Sequence, residues 1–391
     1  MVNIGGFLGT LIAGYLRILD WNYVFLLCAA AIALNFIPLF TFAEPDRAPS
    51  EEDSDGPLVL LYRAIRGLLE PRLFFFTIAF AGFWLMFYQL FDILPNFIDD
   101  WVDSRSAAAA LANVFGESAV PTVNGGNLTQ EWMINFNSLL ISLFAFAIGY
   151  LTGKIRSLHA IVVGIAISAV AIYLLGASMN GLVILAAIGL FSLGEMTASP
   201  TKMRYLSSIA PPGKQGQYMG YVNFTVGIGW SLGSVVAGHL YQEGGDKIVL
   251  ARRYLIEHLG MPSEAVAAIP RGEVLDTLYA KASVDPFAAR TLLWDTYEPQ
   301  SMWLLFALIG LTSMVLLLGY NYVVRRADEN PGHSFDVNGT RWVKLALVPV
   351  TGALGWATLS SYSHGLLLNT LFFGAMLVVA FVEPAPEAAH P

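Results

Sequence analysis

The sequence predicts an all-α polytopic membrane protein, and three observations carry that prediction. Of its 391 residues, 56% are apolar and only 13% charged, against about a quarter charged in an ordinary soluble domain. Apolar runs of about 20 residues recur along the chain, each long enough to cross a hydrocarbon core of about 30 Å. Lysines and arginines gather in alternate connections, as retention of basic loops on the cytoplasmic side requires. The formal charge of -8 and the lack of a long Lys/Arg block leave no electrostatic footprint for nucleic acid. The single cysteine, Cys28, can staple nothing within the chain, and no Cys/His cluster has metal spacing, so neither metal nor cofactor is expected.

The runs place spans at about 1 to 19, 22 to 43, 73 to 95, 132 to 153, 158 to 178, 182 to 200, 215 to 242, 299 to 324, 342 to 360 and 365 to 383. The first lacks the basic start of a secretory signal, and its Gly5, Gly6, Gly9 and Gly14 are spaced for close helix packing. The acidic, proline-bearing stretch 44 to 57 favours an unpacked linker. After it, Leu58 to Glu70 sets Arg63 and Arg66 among leucines; this is either a helix on the inner membrane surface or an inward extension of the next span, ended by Pro71. The connection Ser178-Met179-Asn180-Gly181 is short enough only for a tight helical hairpin, whereas 96 to 131 and 243 to 298 are long and polar. The second of these has helical stretches, Ile248 to Leu259 and Glu273 to Lys281, and reads equally as a cap over the outer mouth or a loosely ordered insertion. With the first span running outward, thirteen of the 21 Lys and Arg fall on inner segments, Lys202 and Arg204 among them. Both termini are then cytoplasmic, in a multi-pass protein of the cell's inner (plasma) membrane.

A charge at a helix centre in hydrocarbon costs about 2.5 to 3.5 kcal/mol, so it persists where it faces protein or a wet cavity. Two carboxylates stand between span ends, Asp92 and Glu195. Tyr88 and Gln89 precede Asp92 by one turn, and Ser199 follows Glu195 on the same face. Each carboxylate has two readings. Asp92 is a cavity residue and candidate proton carrier, or a side chain reaching outer water beside Pro95 and Asn96. Glu195 is a substrate ligand, or half of an ion pair within the bundle. Pro200 frees a backbone carbonyl, as a hinge does, or marks a helix nearing its end. Gly216 with Gly220, and Gly229 with Gly233, have the small-xxx-small spacing of close packing. Asn135, Asn137 and Asn223 suit interhelical hydrogen bonds, and His239 an interfacial position. No Ser/His/Asp, Cys/His or metal constellation suggests an enzyme.

The stretch Gly194-Glu195-Met196-Thr197-Ala198-Ser199-Pro200, followed by Ala210-Pro211 and Gly216-Gln217-Tyr218-Met219-Gly220, resembles the tenth and eleventh helices of the proton-dependent oligopeptide transporters, a branch of the major facilitator superfamily. Phe83-Trp84-Leu85-Met86-Phe87-Tyr88-Gln89 resembles that family's seventh helix, although Tyr88 stands at the acidic position and Asp92 lies one turn outward. Gly149-Tyr150-Leu151-Thr152-Gly153-Lys154-Ile155-Arg156 is similar to the superfamily's basic loop between helices eight and nine. Asn3, Gly5, Gly6, Gly14, Trp21 and Phe25 resemble its fifth helix and the start of the sixth.

The resemblance covers residues 1 to about 324 as helices five to twelve, with the N-terminal four helices missing from this chain. It implies that 1–43 closes an N-terminal bundle, 44–72 is a cytoplasmic linker, 73–324 is a six-helix bundle with the outer insertion 243–298, and 325–391 adds a cytoplasmic connection and an extra two-helix hairpin. It implies a proton-coupled secondary transporter working by alternating access, with a peptide or other small amine-bearing solute, protons and the lipid bilayer as partners. Glu195, Tyr88, Gln89 and Ser199 would hold the solute, and Asp92 the proton. Transport of sugars, nucleosides or lipids, or a non-transporting scaffold or sensor, are the alternative expectations.

Overall fold

The computed structural model describes residues 2–43, 56–123, 125–329, 337–361 and 363–382. The chain begins with α1 (Val2–Leu19), α2 (Trp21–Leu34) and α3 (Phe36–Leu39). Asp20 turns the chain between the first two, its carboxylate capping α2 through the Asn22 amide at 2.8 Å. The acidic linker expected at 44 to 57 falls largely outside the described residues, as do 330–336 of the expected inner connection. Then α4 (Pro57–Leu68) opens on proline and buries only Leu68.

The span expected at 73 to 95 is three helices in line, α5 (Pro71–Phe87), α6 (Gln89–Asp92) and α7 (Leu94–Trp101). Pro95 lacks the amide that would continue the ladder across the second break. A helix α8 (Arg105–Phe115) and a small antiparallel hairpin, β1 (Thr122–Val123) with β2 (Asn127–Leu128), lead into α9 (Gln130–Gly153), α10 (Ser157–Leu174), α11 (Gly181–Ile209) and α12 (Gln215–Gly244). The insertion folds as α13 (Lys247–Glu257), α14 (Ser263–Ala267), α15 (Val274–Ala282) and α16 (Pro286–Tyr297). Last come α17 (Met302–Glu329), α18 (Val337–Ser360) and α19 (His364–Phe381).

Eight of these stretches are long and apolar enough to cross a membrane. Of the ten spans expected, 1 to 19 is an apolar helix too short for that set, and 215 to 242 is the 30-residue α12, rich in glycine and polar side chains. The bundle is built on α5, which packs between α12 and α17, and on α10, which packs between α11 and α17; α9 joins α11 to α1. Phe76, Phe80, Phe83, Phe191 and Phe306 fill its centre, all fully buried. Two glycines mark close approaches between its helices. A Cβ added at Gly194 would lie 2.2 Å from Ser168 Oγ of α10, and one at Gly229 would lie 2.4 Å from the Ala81 carbonyl oxygen of α5.

Two expectations need correction, and one of the two readings of 243 to 298 falls. First, α11 does not end at Pro200 but continues to Ile209. Proline removes a single helical hydrogen bond, and packed neighbours tolerate that in a bundle. Lys202 and Arg204 are therefore helix residues, not loop residues. Arg204 caps the end of α9, donating to the Thr152 carbonyl at 3.0 Å and to Ser157 Oγ at 3.0 Å. Second, a Cβ at Gly216 or Gly220 would meet nothing within 4 Å, because both sit on the exposed first turns of α12. Of the two readings of the insertion, the loosely ordered one does not hold. Leu250, Leu255, Val266, Val274, Leu278 and Leu293 bury a core of their own, and Trp101 at the end of α7 donates to the Gly245 carbonyl at 2.9 Å.

The hairpin of α18 and α19 docks on α12. Asn369 donates to Ser231 Oγ at 2.7 Å, Phe372 stacks on Phe224 with centroids 5.2 Å apart, and Ser361 lies in hydrogen-bond contact with His239 at 3.2 Å.

Candidate functional site

Glu195 sits mid-way along α11, inside a candidate span, and is half-buried. Its carboxylate accepts a hydrogen bond from the Asn137 amide of α9 at 2.9 Å, and the same amide reaches Ser192 Oγ at 3.0 Å. Ser192 in turn donates to the Ile188 carbonyl at 2.8 Å, which fixes its lone pairs toward Asn137. Among the described residues no Lys or Arg pairs with Glu195. The ion pair that was one reading of Glu195 is thus replaced by a neutral amide. A hydrogen bond to a charged group is worth about 1.5 to 3 kcal/mol, comparable to the cost of a charge at this depth.

Asp92 ends α6. Its carboxylate accepts from Ser234 Oγ at 2.7 Å and from the Trp230 indole at 3.3 Å, both on α12. Tyr88, at the break between α5 and α6, lies flat on Trp230, with centroids 4.4 Å apart and rings 8° from parallel. The Asp92 carboxylate therefore borders an aromatic surface made by Trp230 and Tyr88.

That surface continues inward. Trp84 lies 5.7 Å from Tyr88, and the Lys202 ammonium sits 4.0 Å from the Trp84 ring centroid. Lys202 is 4% exposed, and among the described residues no carboxylate pairs with it. A cation over an indole face is held by the ring quadrupole, by about 2 kcal/mol or more when desolvated.

Ser199 is half-buried one turn from Glu195, and Pro200 is exposed on the same helix. Gln89 is apart from this group. It is fully buried, donates to the Leu85 carbonyl at 2.7 Å, and lies against Gly233, where an added Cβ would stand 3.0 Å from its Nε2. Among the described residues its Oε1 has no hydrogen-bond partner. Asn135 ties α9 to α1 through the Phe7 carbonyl at 2.9 Å, and Arg17 of α1 forms an ion pair with Glu131 of α9. Among the described residues, no group of three or more His, Cys, Asp and Glu is gathered as a metal would require.

Sequence reasoning missed Lys202, Asn137 and Trp230 as members of the site. For Lys202 a signal existed: Glu195, Ser199 and Lys202 follow an i, i+4, i+7 spacing, one face of a single helix. Asn137 and Trp230 come from other helices, and no local spacing announces them.

Residues 105–251 match the family described as Major Facilitator Superfamily. The chain is 23% identical over 249 residues to the multidrug resistance protein MdtH of Edwardsiella ictaluri, covering 62% of this chain and 54% of that protein. It is 22% identical over 258 residues to MdtH of Photorhabdus laumondii, with the same shares covered. An uncharacterized MFS-type transporter of Methanocaldococcus jannaschii, MJ1560, is 25% identical over 147 residues, 37% of this chain and 38% of that protein. The chain spans about half the length of the MdtH relatives it matches. With the helical bundle described above, these matches make the chain an all-α polytopic membrane protein with a fold like that of the major facilitator superfamily.

Proposed function

We propose that the chain forms one side of a secondary active transporter that moves a small amine-bearing solute by alternating access, with Glu195 receiving the ammonium. The observation that carries this reading is a carboxylate inside the bundle whose hydrogen-bond partner is an amide, Asn137, at 2.9 Å, and not a basic side chain. Such a carboxylate keeps its charge available for a cation that arrives from outside. Tyr88, Trp84 and Trp230 supply the aromatic faces that a cation also favours. Ser199 stands next to it for a second polar contact, and Asp92 is the acceptor for a coupled proton. Peptides are the solutes that the tenth-helix resemblance suggests.

A second reading, a lipophilic organic cation, draws support from the aromatic wall and from the names of the multidrug resistance relatives.

Both readings are tested by uptake into vesicles reconstituted with the protein, with and without an inward proton gradient, using radiolabelled dialanine and ethidium as probes. Glu195→Gln is expected to weaken uptake affinity for whichever probe is carried by about 10- to 100-fold at unchanged membrane abundance. Normal affinity in that variant, or loss of the folded protein itself, overturns the assignment. Gradient-driven accumulation that survives Asp92→Asn removes Asp92 from proton coupling.

A further inference from the structure

A cavity of about 550 Å³ lies in the folded insertion, where α13, α15 and α16 meet the end of α7 and the β1–β2 turn. It shares nothing with the Glu195 site. Its wall brings together the cations Arg105, Lys247 and Arg290 in a chain whose formal charge is -8.

Two of these cations lack a full set of acceptors. Arg290 is only 11% exposed, stands 3.6 Å from the Asp103 carboxylate, beyond hydrogen-bond length, and among the described residues its buried Nε has no partner. Lys247 engages Asp100 through its backbone amide at 3.4 Å, and no hydrogen bond to its ammonium is found among the described residues. Arg105 is satisfied by Asp103 at 2.5 Å. A buried guanidinium nitrogen left unpaired costs about as much as a lost charged hydrogen bond, and such orphans point to a missing partner.

The rest of the wall narrows the identity of that partner. Asp99 and Asp100 also line the cavity and Asp103 neutralises Arg105, so Lys247 and Arg290 face two carboxylates. Asp100 is already occupied, accepting from the Tyr241 hydroxyl at 2.5 Å. With no net positive charge to spare, the wall suits at most a single negative charge held by the unpaired N–H donors of Lys247 and Arg290, and disfavours a doubly charged phosphate, which the carboxylates would repel more strongly. Tyr279 and Phe287 present aromatic surface beside the cations. We propose that this cavity binds a small organic monoanion, a carboxylate on an apolar or aromatic body, between Lys247 and Arg290.

The test is a ligand-observed NMR titration of the purified protein in a non-ionic detergent. The probes are benzoate, its neutral isostere benzamide, and inorganic phosphate. Benzoate is expected to bind saturably and benzamide not, and Lys247→Gln and Arg290→Gln are each expected to weaken benzoate binding by about tenfold or more. Arg290 faces Asp103, so its variant is read only with a normal melting profile. Lys247→Gln keeps the backbone contact to Asp100 and carries the test if the other variant fails to fold. Equal binding of benzoate and benzamide, unchanged affinity in Lys247→Gln, or phosphate binding more tightly than benzoate overturns the proposal.

Discussion

The Tyr88 ring lies flat against Trp230 at 4.4 Å, and the same indole donates to Asp92 at 3.3 Å, so one side chain of α12 positions both an aromatic face and a carboxylate of the opposite helix. Trp230→Phe keeps the stack and loses the hydrogen bond, whereas Trp230→Ala loses both. If cation binding uses the stacked face, the alanine variant should weaken uptake affinity by about 2- to 12-fold, the loss of an aromatic pair worth about 0.5 to 1.5 kcal/mol. The phenylalanine variant should stay near the parent value. Measured concentration dependence of uptake in vesicles separates the two, and equal losses would assign the effect to the bond with Asp92 instead.

Glycine positions on α12 should respond oppositely to alanine. At Gly229 the new methyl would overlap the Ala81 carbonyl at 2.4 Å, and the variant should lose about 1 to 3 kcal/mol of stability. At Gly220 it meets nothing within 4 Å, and removing a flexible glycine from a helix should stabilise by about 0.5 to 1 kcal/mol. Thermal melts in detergent, followed by tryptophan emission, check both signs.

Asn137→Leu removes the donor shared by Glu195 and Ser192. The expected result is a drop in melting temperature and in folded yield, since leaving a charged acceptor unpartnered costs about 1 to 3 kcal/mol. A variant as stable as the parent would show that water takes over the amide's role.

Desolvation pushes the Asp99 carboxyl up from 3.8 to about 6, with the Arg17 charge opposing and Glu131 and Asp100 reinforcing. A carboxyl whose folded value is raised stabilises the protein when protonated. That contribution is fully present below about 3.8 and is lost as the pH rises through about 6. Asp103 has the opposite sign: the Arg105 hydrogen bond lowers it to about 2, so its contribution is present above 3.8 and lost as the pH falls through about 2. Melting temperatures across pH 4 to 7 should therefore fall less steeply in Asp99→Asn than in the parent, and identical slopes would remove Asp99 as the cause.

Single cysteines at Ser106, Ser283 and Pro212, in a Cys28→Ser background, test the orientation inferred from charge. An impermeant maleimide added to intact cells should label the first two only. Labelling at Pro212 from outside inverts the topology.

The apolar runs and the isolated charges were legible in the sequence because burial in hydrocarbon is a property of composition. Glu195 stood out for that reason. Lys202 did not, since it follows Pro200, and a proline before a basic pair has the look of a helix end. The pairing of Asn137 with Glu195, and of Trp230 with Tyr88 and Asp92, joins residues more than 50 positions apart, a relation set by helix packing and invisible to any local pattern. The small-residue spacing at Gly216 and Gly220 misled for a related cause: the motif permits a close approach but does not supply the neighbour.

Below Tyr88, α5 is clamped on two sides, by Gly229 of α12 and by the Ser313 hydroxyl of α17, which donates to the Ala79 carbonyl at 2.6 Å. A rod held this way resists bending, so the breaks at Tyr88 and Ile93 are the joints at which Asp92 can swing relative to α5. The far end of that jointed lever is Trp101, bolted to the insertion through Gly245. Through that bond a hinge at either break is expected to tilt the insertion against the bundle, a motion that a pair of fluorophores, one on its surface and one on α17, would register.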